Sequence, residues 1–217
     1  MDIQRIERDD SAYPTVLLDR LGNAAPCCLY AMGNAAILRN CFLGLVCSIR
    51  CPGSIVIQTL DAIRALRDAG VAVIGGFHSP MERECLDILL RGDQPVVLCP
   101  AKGLARLRIA QTAQRALEER RLLVLSPFDK NIRRTIAAQD VGRNDLVAAL
   151  ADVVWVPHAA PGGKAWATIR QVLDRDQALF SFADEENSEL IRLGAKSIAA
   201  HGIADAVNLR AKIRASS

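Results

Sequence analysis

The chain has 217 residues, of which 51% are hydrophobic, 24% charged and only 4% aromatic, with a formal net charge of +3. That length and balance suit one soluble globular core, or one core with an appendage. The scarcity of aromatics argues against a surface that holds single strands mainly by base stacking, and the mild charge permits a nucleic-acid partner without requiring one.

Seven cysteines, Cys27, Cys28, Cys41, Cys47, Cys51, Cys85 and Cys99, form no CxxC pair. The Cys47–Cys51 spacing has no second ligand pair, so no metal site is expected. Small buried thiols in a reducing, cytoplasmic setting account for them. The charged start MDIQRIERDD lacks the apolar stretch of a signal peptide. No apolar run reaches the roughly 18–20 residues of a membrane span, so no membrane partner is expected.

Residues 1–40 read as a preface: a short helix around Val16–Leu18 stopped by Gly22-Asn23, an extended edge piece over Pro26–Met32, a turn at Gly33-Asn34 and a helical turn over Ala35–Arg39. From Phe42 to Cys47 a continuous apolar run predicts a buried strand. Pro52-Gly53-Ser54 turns into a helix over Ile55–Ala69, with Ile55, Thr59, Ala62, Ile63 and Leu66 at helical spacing and Gly70 as its stop. Val71–Ile74 is a second strand, ended by Gly75-Gly76, and Pro80 opens a helix over Met81–Leu90. Pro95–Cys99 is a third strand, with Pro100–Gly103 as its exit and a basic, mostly helical stretch over Leu104–Arg120. Leu122–Leu125 is a fourth strand leaving through Ser126-Pro127-Phe128, and a polar stretch leads to a helix over Asn144–Leu150. Ala151–Val156 is a fifth strand, followed by Ala159–Lys164 as a glycine turn and a helix over Ala165–Leu173. Ala178–Ser181 is a sixth strand, Asn187–Leu193 a last helix, and His201–Ser217 an amphipathic tail.

Apolar strands alternating with helices predict an α/β fold, an extended Rossmann-like, doubly wound, mainly parallel sheet with helices on both faces. Ligands of such sheets bind where the strands end. The exit loops hold Ser48, Arg50, Gly75, Gly76, His78, Ser79, Lys102, Arg143, Asn144, Gly162, Gly163 and Lys164. A strand feeding a glycine turn that opens a helix aims backbone N–H groups at an anion, and Lys164 adds a full charge there. Each residue also has a plainer reading. Gly75-Gly76 can serve tight packing, Arg50 can be a solvated charge, Glu82 can answer the helix dipole, and His78 and His158 can be hydrogen-bonding or packing groups. No GxGxxG follows the first strand, no Walker sequence occurs, and no Ser/His/Asp order suggests a triad.

Tyr13-Pro14, Pro26, Leu29-Tyr30 and Gly33-Asn34, then Leu45–Arg50, Ala69–Gly76, Leu123–Phe128, Arg143-Asn144 with Ala148–Val156, Gly162–Ala165 and Ser188–Ala195 together resemble the motifs of the DNA-processing protein A (DprA/Smf) family. The likeness runs from about Tyr13 to Ile198. Departures are Cys47 at the glycine of the family's GSR, His78–Glu82 in place of its ARGID stretch, and Asp145 at the second arginine of RNR. The family's C-terminal winged-helix-like domain is not expected within these 217 residues. Pro161–Trp166 also partly echoes the PGG turn of the LOG phosphoribohydrolases, without that group's Gly-Thr and catalytic Glu.

The resemblance implies a single-stranded DNA-binding protein acting in DNA processing, natural transformation or recombination, a homodimer, and a RecA-type recombinase as partner. The twelve exit-loop residues named above are the expected phosphate-binding set, with no cofactor, no metal and no catalytic residue. The alternative is a nucleotide or phosphosugar module of the LOG type. The expected organisation is an N-terminal extension over 1–40, the Rossmann-like domain over 41–200 and a tail over 201–217.

Overall fold

The computed structural model describes residues 2–208, so the part of the expected tail beyond 208 lies outside the described residues. Strands are β1 (Ile3–Glu7), β2 (Cys28–Gly33), β3 (Leu43–Leu45), β4 (Val73–Gly75), β5 (Val96–Leu98), β6 (Leu122–Ser126), β7 (Val153–Trp155), β8 (Ala178–Phe182) and β9 (Lys196–Ile198). Helices are α1 (Val16–Leu21), α2 (Gly53–Asp68), α3 (Pro80–Leu89), α4 (Gln111–Glu118), α5 (Ala137–Leu150), α6 (Lys164–Asp174) and α7 (Ser188–Leu193). The strands form one nine-stranded sheet in the order β1-β2-β6-β5-β4-β3-β7-β8-β9. β1–β2 and β2–β6 are antiparallel, and every pair from β6 across to β9 is parallel. The doubly wound, mainly parallel reading therefore holds.

Both faces of the sheet are covered, and for that reason the inner strands are apolar at every position. In β6, Leu123 and Leu125 join the core under α1, α5, α6 and α7, while Leu122 and Val124 join the core under α2, α3 and α4. The helical segment over 203–208 adds Ile203 and Val207 to that second core. Trp155 and Phe182 meet edge to face at 5.4 Å within it.

Five elements differ from expectation. The segment 28–33 is not an edge: β1 pairs with it, Ile3 opposite Met32 through Glu7 opposite Cys28. β1 and β9 are not expected from the sequence, because only Ile6 on β1 is fully buried and β9 is largely exposed. The stretch 104–110 is not helical, since the Gly103 and Ala105 amides donate to the Ile132 and Lys130 carbonyls instead. α5 starts a full two turns before Asn144, at Ala137, where the Gln139 side chain accepts the Ile136 amide at 2.9 Å. The two open edges of the sheet are polar: Gln4, Arg5 and Glu7 on β1, Lys196 and Ser197 on β9.

Candidate functional site

The chain adds β4, β5 and β6 on one side of β3 and then returns to place β7, β8 and β9 on the other. The loops leaving β3 and β7 must therefore diverge, and the crevice between them is the natural ligand position of such a sheet. Here the two loops are stitched together. The Ser48 amide donates to the His158 carbonyl at 3.0 Å, and the Ala160 amide donates to the Ser48 hydroxyl at 3.0 Å. His158 is itself fixed. Asn187 gives its amide to the Pro157 carbonyl at 2.8 Å, which turns its oxygen toward His158 Nδ1 at 3.1 Å and makes that nitrogen the protonated one. The plainer reading of His158, a hydrogen-bonded packing group, is the observed one.

Gly162 has a positive φ of 73°, and the Gly163 amide closes the turn onto the Ala160 carbonyl at 3.1 Å. The first amides of α6, at Lys164 and Ala165, lack partners within the helix by its geometry and define an electropositive end. Lys164, half exposed, forms an ion pair with Asp140 on the first turn of α5. Asp140 is not a candidate by sequence, because the residues before Asn144 read as a polar connecting stretch. A helix begun at Ala137 places it one turn before Arg143.

Arg143 is buried and its Nε has no hydrogen-bond partner. Its guanidinium lies directly on Gly76: a Cβ there would stand 1.7 Å from Nη1. Only glycine admits this contact. The thiol of Cys99, pushed up to about 12 by burial, is pulled partly back by the charge of Arg143. Gly76 against Arg143 at the β4 exit, Asp140 one turn before Arg143 on α5 and paired with Lys164 of α6, and Ser48 of the β3 exit bonded to the Ala160 amide of the turn that leads into α6 together mark the site.

The other candidates are placed around this run. Asn144 is half-buried beside Arg143, and Arg50 is exposed on the β3–α2 loop next to Ile49, itself 62% exposed. Gly75 packs under the Phe77 ring. His78 is exposed, and its amide donates to the Glu82 carboxylate at 3.1 Å. Ser79 is consumed structurally, its hydroxyl accepting the Glu82 amide at 3.2 Å in the capping box of α3. Lys102 sits on the β5 exit, where its carbonyl accepts the Ser126 hydroxyl at 2.9 Å. On the outer side of Gly162-Gly163 an open pocket of about 740 Å³ is lined by Trp166, Arg170, Glu189 and Arg192 among others. Among the described residues no group of three or more His, Cys, Asp or Glu is arranged to hold a metal, and no helix is long and apolar enough to cross a membrane.

A family model described as DNA recombination-mediator protein A matches residues 4–215. Among solved structures, the fold is similar to DNA processing protein A from Streptococcus pneumoniae, with a TM-score of 0.79, 18% identity, 95% of this chain covered and 74% of that one. It is also similar to DNA processing protein A from Helicobacter pylori, with a TM-score of 0.76, 20% identity, 98% of this chain covered and 97% of that one. A more distant likeness, with a TM-score of 0.53 and 11% identity over 79% of this chain and 98% of that one, is to the molybdenum cofactor carrier protein of Chlamydomonas reinhardtii. No curated protein sequence matches.

Proposed function

The chain belongs to the DNA recombination-mediator protein A family, and from that membership we propose that it binds single-stranded DNA at the β3/β7 crevice, as a binding protein rather than an enzyme. The Helicobacter pylori relative is described by its single-stranded DNA binding mode. The observation that carries the reading here is Arg143: a buried guanidinium with an unpartnered Nε, held open by Gly76 at the strand ends. A buried N–H left unpaired is costly, and phosphate oxygens are the acceptors that suit a guanidinium best. Lys164, Arg50 and Lys102 supply further neutralisation, and the first amides of α6 supply donors. Ser48, Asn144, Gly75, Gly76, His78, Ser79, Gly162 and Gly163 shape the loops around them. The seven free cysteines suit a cytoplasmic setting. A homodimer and a recombinase of the RecA type complete the proposal.

Fluorescence anisotropy with a labelled single-stranded oligonucleotide at two salt concentrations, with a duplex control, tests this. Affinity should favour the single strand and fall with salt by about 0.7 in log–log slope for each phosphate neutralised. Arg143→Ala should weaken binding to all sequences alike and flatten the slope by about that amount. Lys164 is tested together with Asp140, as Lys164→Ala/Asp140→Asn, because the single change strands a carboxylate that is 9% exposed. No binding at low salt, with a mononucleotide raising the melting temperature, would move the site to a small ligand in the pocket beside Trp166, Arg170 and Arg192.

A further inference from the structure

A buried carboxylate is an unexpected neighbour for an anion, and Asp140 is one. It lies on the first turn of α5, one turn before Arg143, and it is paired with Lys164 at the start of α6. Only its Oδ2 is used; Oδ1 is buried and has no donor. Arg143 Nε is likewise buried and without an acceptor, so these two atoms do not answer each other. The Lys164 ammonium has three N–H donors and gives one to Asp140, which leaves others for a ligand. Arg143 and Lys164 therefore bring two positive charges and Asp140 offsets one of them. Asp145 on α5 turns to Thr168, Arg175 of α6 lies beside Asp145, and Arg20 of α1 serves carbonyls at the far end of α5. Burial raises the pKa of the Cys99 thiol near Arg143, His158 on the β7 exit is held to Asn187, and Arg50 is exposed on the β3 exit. The centre of the site is left with one net positive charge. Attraction to that charge grows in proportion to the charge of the ligand, whereas the hydration a buried ion loses grows with its square. One negative charge is thus matched there, and a second is not.

We propose that Asp140 is a specificity-determining residue: it makes the site accept the singly charged phosphodiester inside a strand and reject the doubly charged phosphate of a strand end or a free mononucleotide. The inference rests on the reading of the crevice as a single-stranded DNA site and adds which phosphate that site holds. An internal phosphodiester carries one negative charge, while a phosphomonoester, with a second pKa of about 6, carries nearly two at neutral pH. Arg143 and Lys164 donate to the two free oxygens of the diester, and Lys164 keeps its bond to Asp140. The extra charge of a monoester stands against Asp140 Oδ1, an acceptor with no proton to offer. A carboxylate that only oriented Lys164 would act differently, since its loss would weaken every anion alike.

The test uses the full chain and two probes that differ by one charge, thymidine 5′-monophosphate and its methyl ester. Each is titrated against a labelled single-stranded oligonucleotide bound to the protein, at about pH 7.5 and about pH 5.5, on either side of the second phosphate ionisation. With wild type at the higher pH, the ester should displace the strand at roughly three- to tenfold lower concentration than the nucleotide. At the lower pH the nucleotide has taken up a proton and the gap should close. The ester keeps one charge at both pH values, so its own change reports any titration of His78 or His158. Asp140→Asn, which keeps an oxygen for Lys164, should close or invert the gap at the higher pH and raise the affinity for the oligonucleotide. The wild-type comparison needs no variant, so it stands even if the substitution harms folding. Wild type that takes the nucleotide as readily as its ester at the higher pH overturns the proposal. So does an Asp140→Asn variant that keeps the wild-type preference or weakens both probes alike. If the labelled strand does not bind wild type at all, the DNA reading falls by itself. The ratio of the two probes, read from their shifts of the melting temperature, then still decides the role of Asp140.

Discussion

Gly76 and Arg143 are distant in the chain and make a single device. The glycine has no role of its own beyond leaving room for the guanidinium, so the two residues should fail together. Gly76→Ala sets a methyl 1.7 Å from Arg143 Nη1. What it meets is the end of a long side chain rather than backbone, so the arginine swings out and the fold survives. We expect a melting temperature close to that of wild type and an oligonucleotide affinity reduced nearly to that of Arg143→Ala, read by anisotropy. An affinity equal to wild type would detach Gly76 from the site. Both residues are visible in the sequence as candidates, whereas their contact is not, because nothing local in either stretch points to the other. The same holds for Asp140, whose partner Lys164 was evident while the acid was not. The twelve expected residues also divide in a way that only the fold reveals: Ser79 spends its hydroxyl on capping α3, and Arg143 keeps a buried Nε without a partner.

Among the elements, the contact of α5 with α6 is polar at its middle. The Thr168 hydroxyl, fully buried, donates to Asp145 at 2.7 Å. Asp145→Ala removes that acceptor and should cost about 1–3 kcal/mol in urea denaturation. Asp145→Asn keeps an oxygen for Thr168 and should cost less. Burial raises the Asp145 pKa above its ordinary value, against the pull of Thr168, Gln171 and Arg175. An acid with a raised folded-state pKa stabilises fully below the ordinary carboxylate value, and that contribution is lost as pH rises through the raised one. The asparagine variant should therefore lack this loss when stability is compared across the acid range. Central strands such as β6 and β7 were legible because two covered faces demand apolar residues at every position. Edge strands face solvent and carry no such demand, so β1 and β9 have no apolar signature in the sequence. The segment after Gly103 resembles a helix by composition, yet its amides serve the loop after β6, a contact that no local pattern announces.

At the scale of the whole molecule, alternation of strand and helix was enough to expect a doubly wound sheet. Strand order was not, because it depends on which way each crossover turns. The N-terminal segment is where this matters most. Ile6 is fully buried in the same core as Leu29, Leu123 and Val147. Ile6→Ala should destabilise the entire chain by about 2–5 kcal/mol in one cooperative transition. A separate early transition, with the main one unmoved, would mean that residues 1–40 are an appendage.

The polar rims of the sheet have a consequence for assembly. β1 offers Gln4, Arg5 and Glu7 at one margin, and β9 offers Lys196 and Ser197 at the other. Charged margins resist the addition of further strands. Copies gathered along one nucleic-acid strand would then not zip into a continuous ribbon of backbone bonds.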